Sequence, residues 1–207
     1  MQILYRLIGN DFGIAFSGGI DSLVMAHRLR RFKPVLYHFN HEFIEEDDRI
    51  EDQVIEAANF LGLELIIRKS DEKYVKGSCE DFCRKSRYNW FSQVGGKLLT
   101  AHTLSDCTES YLMRCLAGHP EYTPIPVKTQ FGKTQVVRPM VLVSRSSIEE
   151  YAIKNKLEDY VAHDPMNGNL ELRRNWVRHK ILPEIQSVTN LEKVVRKRYL
   201  KFLNELK

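Results

Sequence analysis

The sequence predicts an α/β fold: a mostly parallel five-stranded sheet flanked by helices, with a short helical C-terminal extension. Two observations predict it. Short apolar runs alternate with amphipathic stretches of helical period. Strands alternating with helices connect by right-handed crossovers into a parallel sheet covered on both faces. A third observation points to where such a sheet would work: two glycines follow the first apolar run, and ligands bind beyond the carboxyl ends of the strands.

The elements follow in order. Residues 13–16 (GIAF) read as a buried strand, and 22–31 as a helix that closes on a basic stretch. Residues 34–39 (PVLYHF) form the second strand. Residues 48–61 form a helix, with Ile50, Val54, Ala57, Ala58 and Leu61 spaced for one face. Residues 63–68 (LELIIR) are the third strand, 80–94 a helix, 97–101 (KLLTA) the fourth strand and 105–116 a helix. Residues 118–134 are rich in Pro, Gly and Thr, have no clear period and read as a long loop. Val136-Val137 add a short fifth strand before Arg138-Pro139. Helices follow at 144–156, capped by Ser144 or Ser147, at 169–181 and at 190–206.

The chain has 207 residues, 43% hydrophobic and 28% charged, the make-up of a globular protein with one main domain and a modest extension. The division is drawn at residues 1–143 and 144–207. The formal net charge is +4, but residues 171–207 hold ten Lys/Arg against four Asp/Glu, or +6, which leaves −2 for residues 1–170. This asymmetry fits a nucleic-acid partner and equally a solvated helix face. No apolar stretch approaches the roughly 20 residues that span a bilayer, and residues 1–10 lack a signal layout. Cys79, Cys83, Cys107 and Cys115 have no pattern of a secreted disulfide framework. A cytoplasmic protein with reduced thiols and no membrane partner is expected.

The chemistry concentrates at Ser17-Gly18-Gly19-Ile20-Asp21-Ser22. Glycines admit φ > 0 and close approach of a ligand to the backbone. The following helix offers free N–H groups and a partial positive charge to an anion. Ser17 and Ser22 add hydroxyls. Asp21 would repel a phosphate unless a cation lies between them, which points to Mg²⁺. A plain turn with an Asp/Ser cap explains the same residues. Two other phosphate loops do not fit. Gly132-Lys133-Thr134 has the tail of G-x-x-x-x-G-K-[ST], but Val127 stands where its first Gly belongs, and G-x-G-x-x-G is absent.

The segment Ser17–Ser22 resembles the S-G-G-x-D-S loop of the PP-loop ATP pyrophosphatases. Further segments resemble the tRNA(Ile)-lysidine synthases within that superfamily. They are His38-Phe39-Asn40-His41, Cys83-Arg84-Lys85-Ser86-Arg87-Tyr88, and Thr100-Ala101-His102-Thr103-Leu104-Ser105-Asp106 with Glu109-Ser110. Arg138-Pro139, Asp164-Pro165-Met166-Asn167, Arg174-Asn175-Trp176-Val177-Arg178 and Ile181-Leu182-Pro183 follow. The likeness spans about residues 13–185. Asn40 stands where the family has Asp, Ser105 replaces the first Asp of a pair, and Ala117 replaces an Arg. Larger family members carry further C-terminal domains, so a short form lacking them is expected.

The resemblance implies the fold of PP-loop ATPases and adenine nucleotide alpha hydrolase-like proteins. It implies ATP and Mg²⁺ as cofactors and a tRNA(Ile) with a CAU anticodon and free L-lysine as partners. A homodimer stays open. The wobble cytidine's O2 would attack the α-phosphate of ATP, and lysine's ε-amine would then displace AMP to give lysidine. Asp21, His102, Asp106 and Glu109 become the catalytic candidates, and Asp21 and Asp106 the metal candidates. Asp106 and Glu109 share a helix face at i, i+3 and serve lysine or Mg²⁺. Ser17, Gly18, Gly19, Ile20, Asp21, Ser22, His38, Arg84 and Arg87 are expected at the nucleotide. Arg114, Arg138, Asn167, Arg174, Asn175, Arg178 and Lys180 are expected at the tRNA, with Arg196, Lys197 and Arg198 tracking its backbone. Trp90 and Trp176 read as core, and Tyr122 as a stacking candidate for an anticodon base.

Two alternatives stand beside this reading. A related tRNA thiolase of the 2-thiocytidine type would carry C-x-x-C before the basic helix, whereas the chain has Cys79-x-x-x-Cys83, a pair that also reads as two buried small residues. A catalytically inactive tRNA-binding module would keep the fold alone.

Overall fold

The computed structural model describes residues 1, 3–42, 46–71, 74, 78–119 and 125–205, with the backbone alone at 202, 204 and 205. Its six-stranded sheet has the order β3-β2-β1-β4-β6-β5. The strands are β1 (Gly13–Ala15), β2 (Leu36–Asn40), β3 (Leu65–Lys69), β4 (Gly96–Leu99), β5 (Lys128–Phe131) and β6 (Thr134–Val137). Neighbours from β3 through β6 pair in parallel. Among the described strands only β5 runs antiparallel, against β6. The first four strands match the expected apolar runs. The order reverses at β1, with β2 and β3 on one side and β4 on the other, so the crevice beyond β1 and β4 is the expected ligand position.

One expectation is corrected here. The loop expected over 118–134 contains β5, which makes the sheet six-stranded rather than five-stranded. β5 and β6 form a hairpin whose register joins Phe131 to Thr134 across Gly132-Lys133. Gly132 has φ +51, and a Cβ there would sit 2.8 Å from the Ser92 carbonyl oxygen. That close approach selects glycine, so the stretch that mimics the tail of a phosphate loop is a hairpin turn. Tyr122 lies outside the described residues.

Helices α1 (Ile20–Leu29), α2 (Asp47–Leu61), α3 (Cys79–Val94), α4 (Leu104–Leu116) and α5 (Arg145–Lys154) flank the sheet. Ser78, Thr103 and Ser144 cap α3, α4 and α5 by accepting N3 amides, at Asp81, Asp106 and Ser147. The main core joins Ile14, Phe16, Leu36, Leu99 and Val137 to Leu23, Met25 and Leu29 of α1. Each such fully buried side chain contributes about 1.5–3 kcal/mol. Ile148, Ala152 and Leu157 belong to this same core, so the expected division at 143/144 falls inside continuous packing.

The helix expected at 169–181 is shifted. It starts as α6 (Arg173–Trp176), widens into a π turn over Val177–Ile181 and continues as α7 (Leu182–Val188). Pro183 directly follows the π turn, in the first turn of α7. Trp176 is 44% exposed instead of core, while Trp90 packs on Tyr37, Phe39 and Phe91. Finally α8 (Leu191–Glu205) lays Val195, Tyr199 and Leu203 against Leu104 and Cys107 of α4.

Candidate active site

A cavity of about 380 Å³ opens beyond the carboxyl ends of β1, β2 and β4. Ser17, Gly19, Asp21, Ser22, His38, His41, Arg87, His102, Asp106, Asp164, Asn167 and Arg174 are among its lining residues. Six segments of the sequence thus meet in one crevice, as the α/β architecture requires.

The floor is the turn from β1 into α1. Gly18 has φ +76, and a Cβ on it would meet Ala162 Cβ at 2.7 Å and Val54 Cγ2 at 2.8 Å. Its carbonyl accepts from Ala162 N–H at 3.1 Å. Gly19 caps α1 without a side chain, and the first intrahelical bond runs from Leu23 N–H to Gly19 O. The N–H groups of Ile20, Asp21 and Ser22 therefore precede the helical ladder and face an incoming anion. The Ser22 hydroxyl donates to Gly19 O at 2.9 Å and lies 3.2 Å from Ser17 Oγ, which fixes both hydroxyls at the loop mouth.

Asp21 is the loop's one carboxylate. Burial pushes its pKa up to about 6, Asp106 and Glu109 add to the rise, and Arg145 opposes it. Arg145 Nη1 lies 3.2 Å from Asp21 Oδ1 and 3.3 Å from Oδ2. Sequence reasoning missed Arg145. It is the first residue of α5, next to a capping serine, and looks like any helix start.

On the opposite side Asp106 and Arg174 line the cavity and belong to a network of four charges with Glu109 and Arg178. Arg174 donates to Asp106 Oδ1 at 2.7 Å and to Glu109 Oε2 at 2.9 Å. Arg178 donates to Glu109 Oε1 at 2.6 Å and Oε2 at 3.0 Å. Asp106 Oδ2 accepts the Thr103 amide at 2.8 Å, closing a capping box on α4. Burial works against the Asp106 charge, but Arg174, the Thr103 amide and Arg178 hold its carboxyl below the usual range. Burial also lowers the pKa of His102, whose Nδ1 lies 2.9 Å from Thr100 Oγ1. The expected catalytic carboxylates are thus ion-paired with two expected tRNA-binding arginines.

His38 Nδ1 donates to Phe16 O at 2.9 Å, and burial lowers its pKa. A neutral His38 therefore carries its lone pair on Nε2. Arg87 lines the cavity without a carboxylate partner among the described residues. Arg84 is exposed on the same helix, over the Tyr88 ring at 4.8 Å. Lys180 is exposed on the π turn, and Arg114 is half-buried on α4. Asn167 is exposed at the rim, where its carbonyl lies 3.1 Å from His179 Nε2.

Two expected tRNA contacts are built into the protein. Arg138 is 2% exposed, and its Nη1 donates to Pro126 O and Thr129 Oγ1. It ties the β5 approach to β6 and presents no surface to an RNA. Asn175 is 6% exposed and donates to Met166 O and Asn169 O, clamping the turn that carries Asp164 and Asn167. Two departures from the family pattern also find partners. Asn40 Nδ2 donates to Glu51 Oε2 at 2.7 Å, where an aspartate would meet a like charge. The Ser105 hydroxyl donates to Glu192 Oε1 at 2.7 Å and joins α4 to α8. Cys79 and Cys83 are half-buried free thiols, and burial pushes Cys83 up to about 11.

Four carboxylates line the cavity, Asp21, Asp47, Asp106 and Asp164. Asp21 stands within the anion-binding loop and would hold a Mg²⁺ ion beside a bound phosphate, whereas both Asp106 oxygens already accept strong hydrogen bonds. No group of three or more His, Cys, Asp or Glu is poised to hold a metal among the described residues. That donor set fits an ion held largely by substrate phosphates and waters.

A crevice at the switch point of a parallel sheet, floored by a glycine turn and helix amides, defines a nucleotide-phosphate-binding α/β protein. The chain belongs to the PP-loop domain family, whose model matches residues 2–185. It is 34% identical over 196 residues to a tRNA(Ile)-lysidine synthase of Coxiella burnetii, covering 88% of this chain and 43% of that protein. It is 32% identical over 203 residues to the tRNA(Ile)-lysidine synthase of Persephonella marina, covering 89% and 44%. The chain thus spans less than half the length of these relatives. A U34-tRNA thiolase from Methanococcus maripaludis, solved with its [4Fe-4S] cluster, shares the fold with a TM-score of 0.72 at 17% identity, over 95% of this chain and 72% of that one. No helix among the described residues is long and apolar enough to cross a membrane.

Proposed function

We propose that the cavity performs the two-step synthesis of lysidine on a CAU-anticodon isoleucine tRNA. The observation that carries this reading is the meeting of two groups in one crevice: the Ser17–Ser22 loop for an anion, and Asp106, networked with the buried Glu109, for a cation. In the first step the wobble cytidine's O2 attacks the α-phosphorus of ATP. An O–P bond forms, the bridging P–O bond breaks, and pyrophosphate leaves. Amides of Ile20 to Ser22 and the Ser17 and Ser22 hydroxyls sit where its charge develops. Arg87 adds a charged donor to the phosphates. Mg²⁺ at Asp21, when bound, neutralises part of that charge.

In the second step lysine's ε-amine attacks C2 of the activated base, and the C2–O bond to AMP breaks. The amine arrives as an ammonium and must lose a proton. Asp106 and Glu109 bind that cation in competition with Arg174 and Arg178. A carboxylate of this pair takes the proton, while burial keeps His102 beside it neutral and a weak base.

The direct test incubates the chain with ATP, labelled lysine and a CAU-anticodon isoleucine tRNA, and reads nucleosides by mass spectrometry. Lysidine is the expected product. AMP release without lysine incorporation overturns the lysidine assignment and keeps adenylation. No ATP turnover with any tRNA favours a binding module. Iron in anaerobically purified protein would favour the thiolase, but Cys79 and Cys83 are one helical turn apart, and the high pKa of Cys83 disfavours a thiolate ligand.

A further inference from the structure

The basic end of the first helix has no task in the chemistry above. At the far end of α1 from Asp21, a second hollow of about 510 Å³ is lined by Tyr5, His27, Arg28, Arg30, Arg31, Tyr151 and Asn155. We infer that this hollow is a second phosphate-binding site, which takes the sugar–phosphate backbone of the RNA at a distance from the reacting base.

Three features carry the inference. All three arginines are exposed, and none has a carboxylate partner among the described residues. No acidic side chain lines the hollow. The guanidinium groups are held in place by uncharged partners. Arg28 Nε donates to Tyr5 OH at 3.0 Å and lies 5.8 Å from the Tyr151 ring centre. Arg30 Nη1 donates to His27 O at 2.7 Å, and Arg31 lies 4.8 Å from the Phe32 ring centre. His27 itself is fixed by Tyr151 OH at 3.0 Å. The free guanidinium edges therefore present charge with little entropy left to lose, the arrangement that suits phosphate oxygens.

Cations at a helix C-terminus also favour the helix dipole, which accounts for one arginine there. Three around one hollow, each without an acid, exceed that need. The 10 residues of α1 separate the two ends by about 15 Å. A ligand that reaches both is a polymer. This assignment rests on RNA being the substrate of the main cavity; free phosphate or pyrophosphate is the other source of the same chemistry.

The test measures tRNA binding across a salt series for the wild type and for Arg30→Gln/Arg31→Gln. The expected result is weaker binding, with the log–log salt slope reduced by about 1 for each phosphate that is no longer neutralised. A second readout needs no variant: mass spectrometry of arginine modification by phenylglyoxal, with RNA, with inorganic pyrophosphate, or with neither. RNA is expected to protect Arg28, Arg30 and Arg31. Protection by pyrophosphate alone assigns the site to the free anion. Unchanged slope and no protection by either overturn the proposal. Should the wild type bind no RNA at all, the enzyme reading fails, and the pyrophosphate arm still decides whether an anion site exists.

Discussion

Arg178 Nε donates to Glu109 Oε1 at 2.6 Å, and Glu109 is 1% exposed. The contact joins α4 to the π turn, in the same network as Asp106 and Arg174, which line the cavity. A buried carboxylate held by two arginines is costly to expose and costlier to leave alone.

Arg174→Ala therefore costs stability as well as activity. A fully buried pair that loses one partner costs about 3–5 kcal/mol. Here Arg178 still serves Glu109, and the Arg174 side chain is 31% exposed, so a loss of about 2 kcal/mol is expected. Urea unfolding measures it. Glu109→Gln should destabilise less, because the arginines it leaves are partly solvated. It should raise the KM for lysine far more than that for ATP in steady-state assays.

Asp21→Asn trades activity for stability. Between pH about 4 and 6 the folded protein keeps a proton on Asp21 that the unfolded chain, with a pKa of 3.8, has released. Wild-type stability therefore falls as pH rises through that window. The variant escapes this loss, so its Tm should exceed wild type at pH 7 and lose the advantage near pH 4. ATP turnover should vanish. Thermal scans at both pH values separate the two effects.

Gly18→Ala tests the loop geometry. The φ of +76 alone disfavours alanine by about 1–2 kcal/mol. The Cβ would also press on Ala162 and Val54, which forces the loop from its position. Pyrophosphate exchange should fall by more than tenfold while the circular dichroism spectrum is kept.

Arg138→Ala distinguishes a strut from an RNA contact. It unpairs Pro126 O and Thr129 Oγ1 and leaves a void, at about 2–3 kcal/mol. Chemical denaturation should show this loss, while tRNA affinity of the folded fraction stays within about twofold.

The parallel strands were legible because each is an apolar run that ends at a polar turn. β5 was not. Lys128-Thr129-Gln130-Phe131 is a polar edge strand with burial on one side only, and its glycine turn looks like loop composition. The glycine loop, His102 and Asp106 could be singled out because neighbouring residues mark them. The ion pairs could not be read, since Arg174 and Glu109 stand 65 residues apart and nothing local predicts their meeting. Sequence separation likewise hid the partners of Arg145 and Ser105, which lie 124 and 87 residues away. Arg138 failed as an RNA contact because burial, unlike charge, is not written in its neighbours.

The two outer strands bear on how copies of the chain behave in solution. A parallel sheet exposes unpaired amides along both margins, which invite another strand. One margin is β5, four residues long and opened by Lys128. The other, β3, ends in Arg68 and Lys69, which pair with Asp71 and Asp48. Short length at one margin and charge at the other oppose edge-to-edge polymerisation through the described strands.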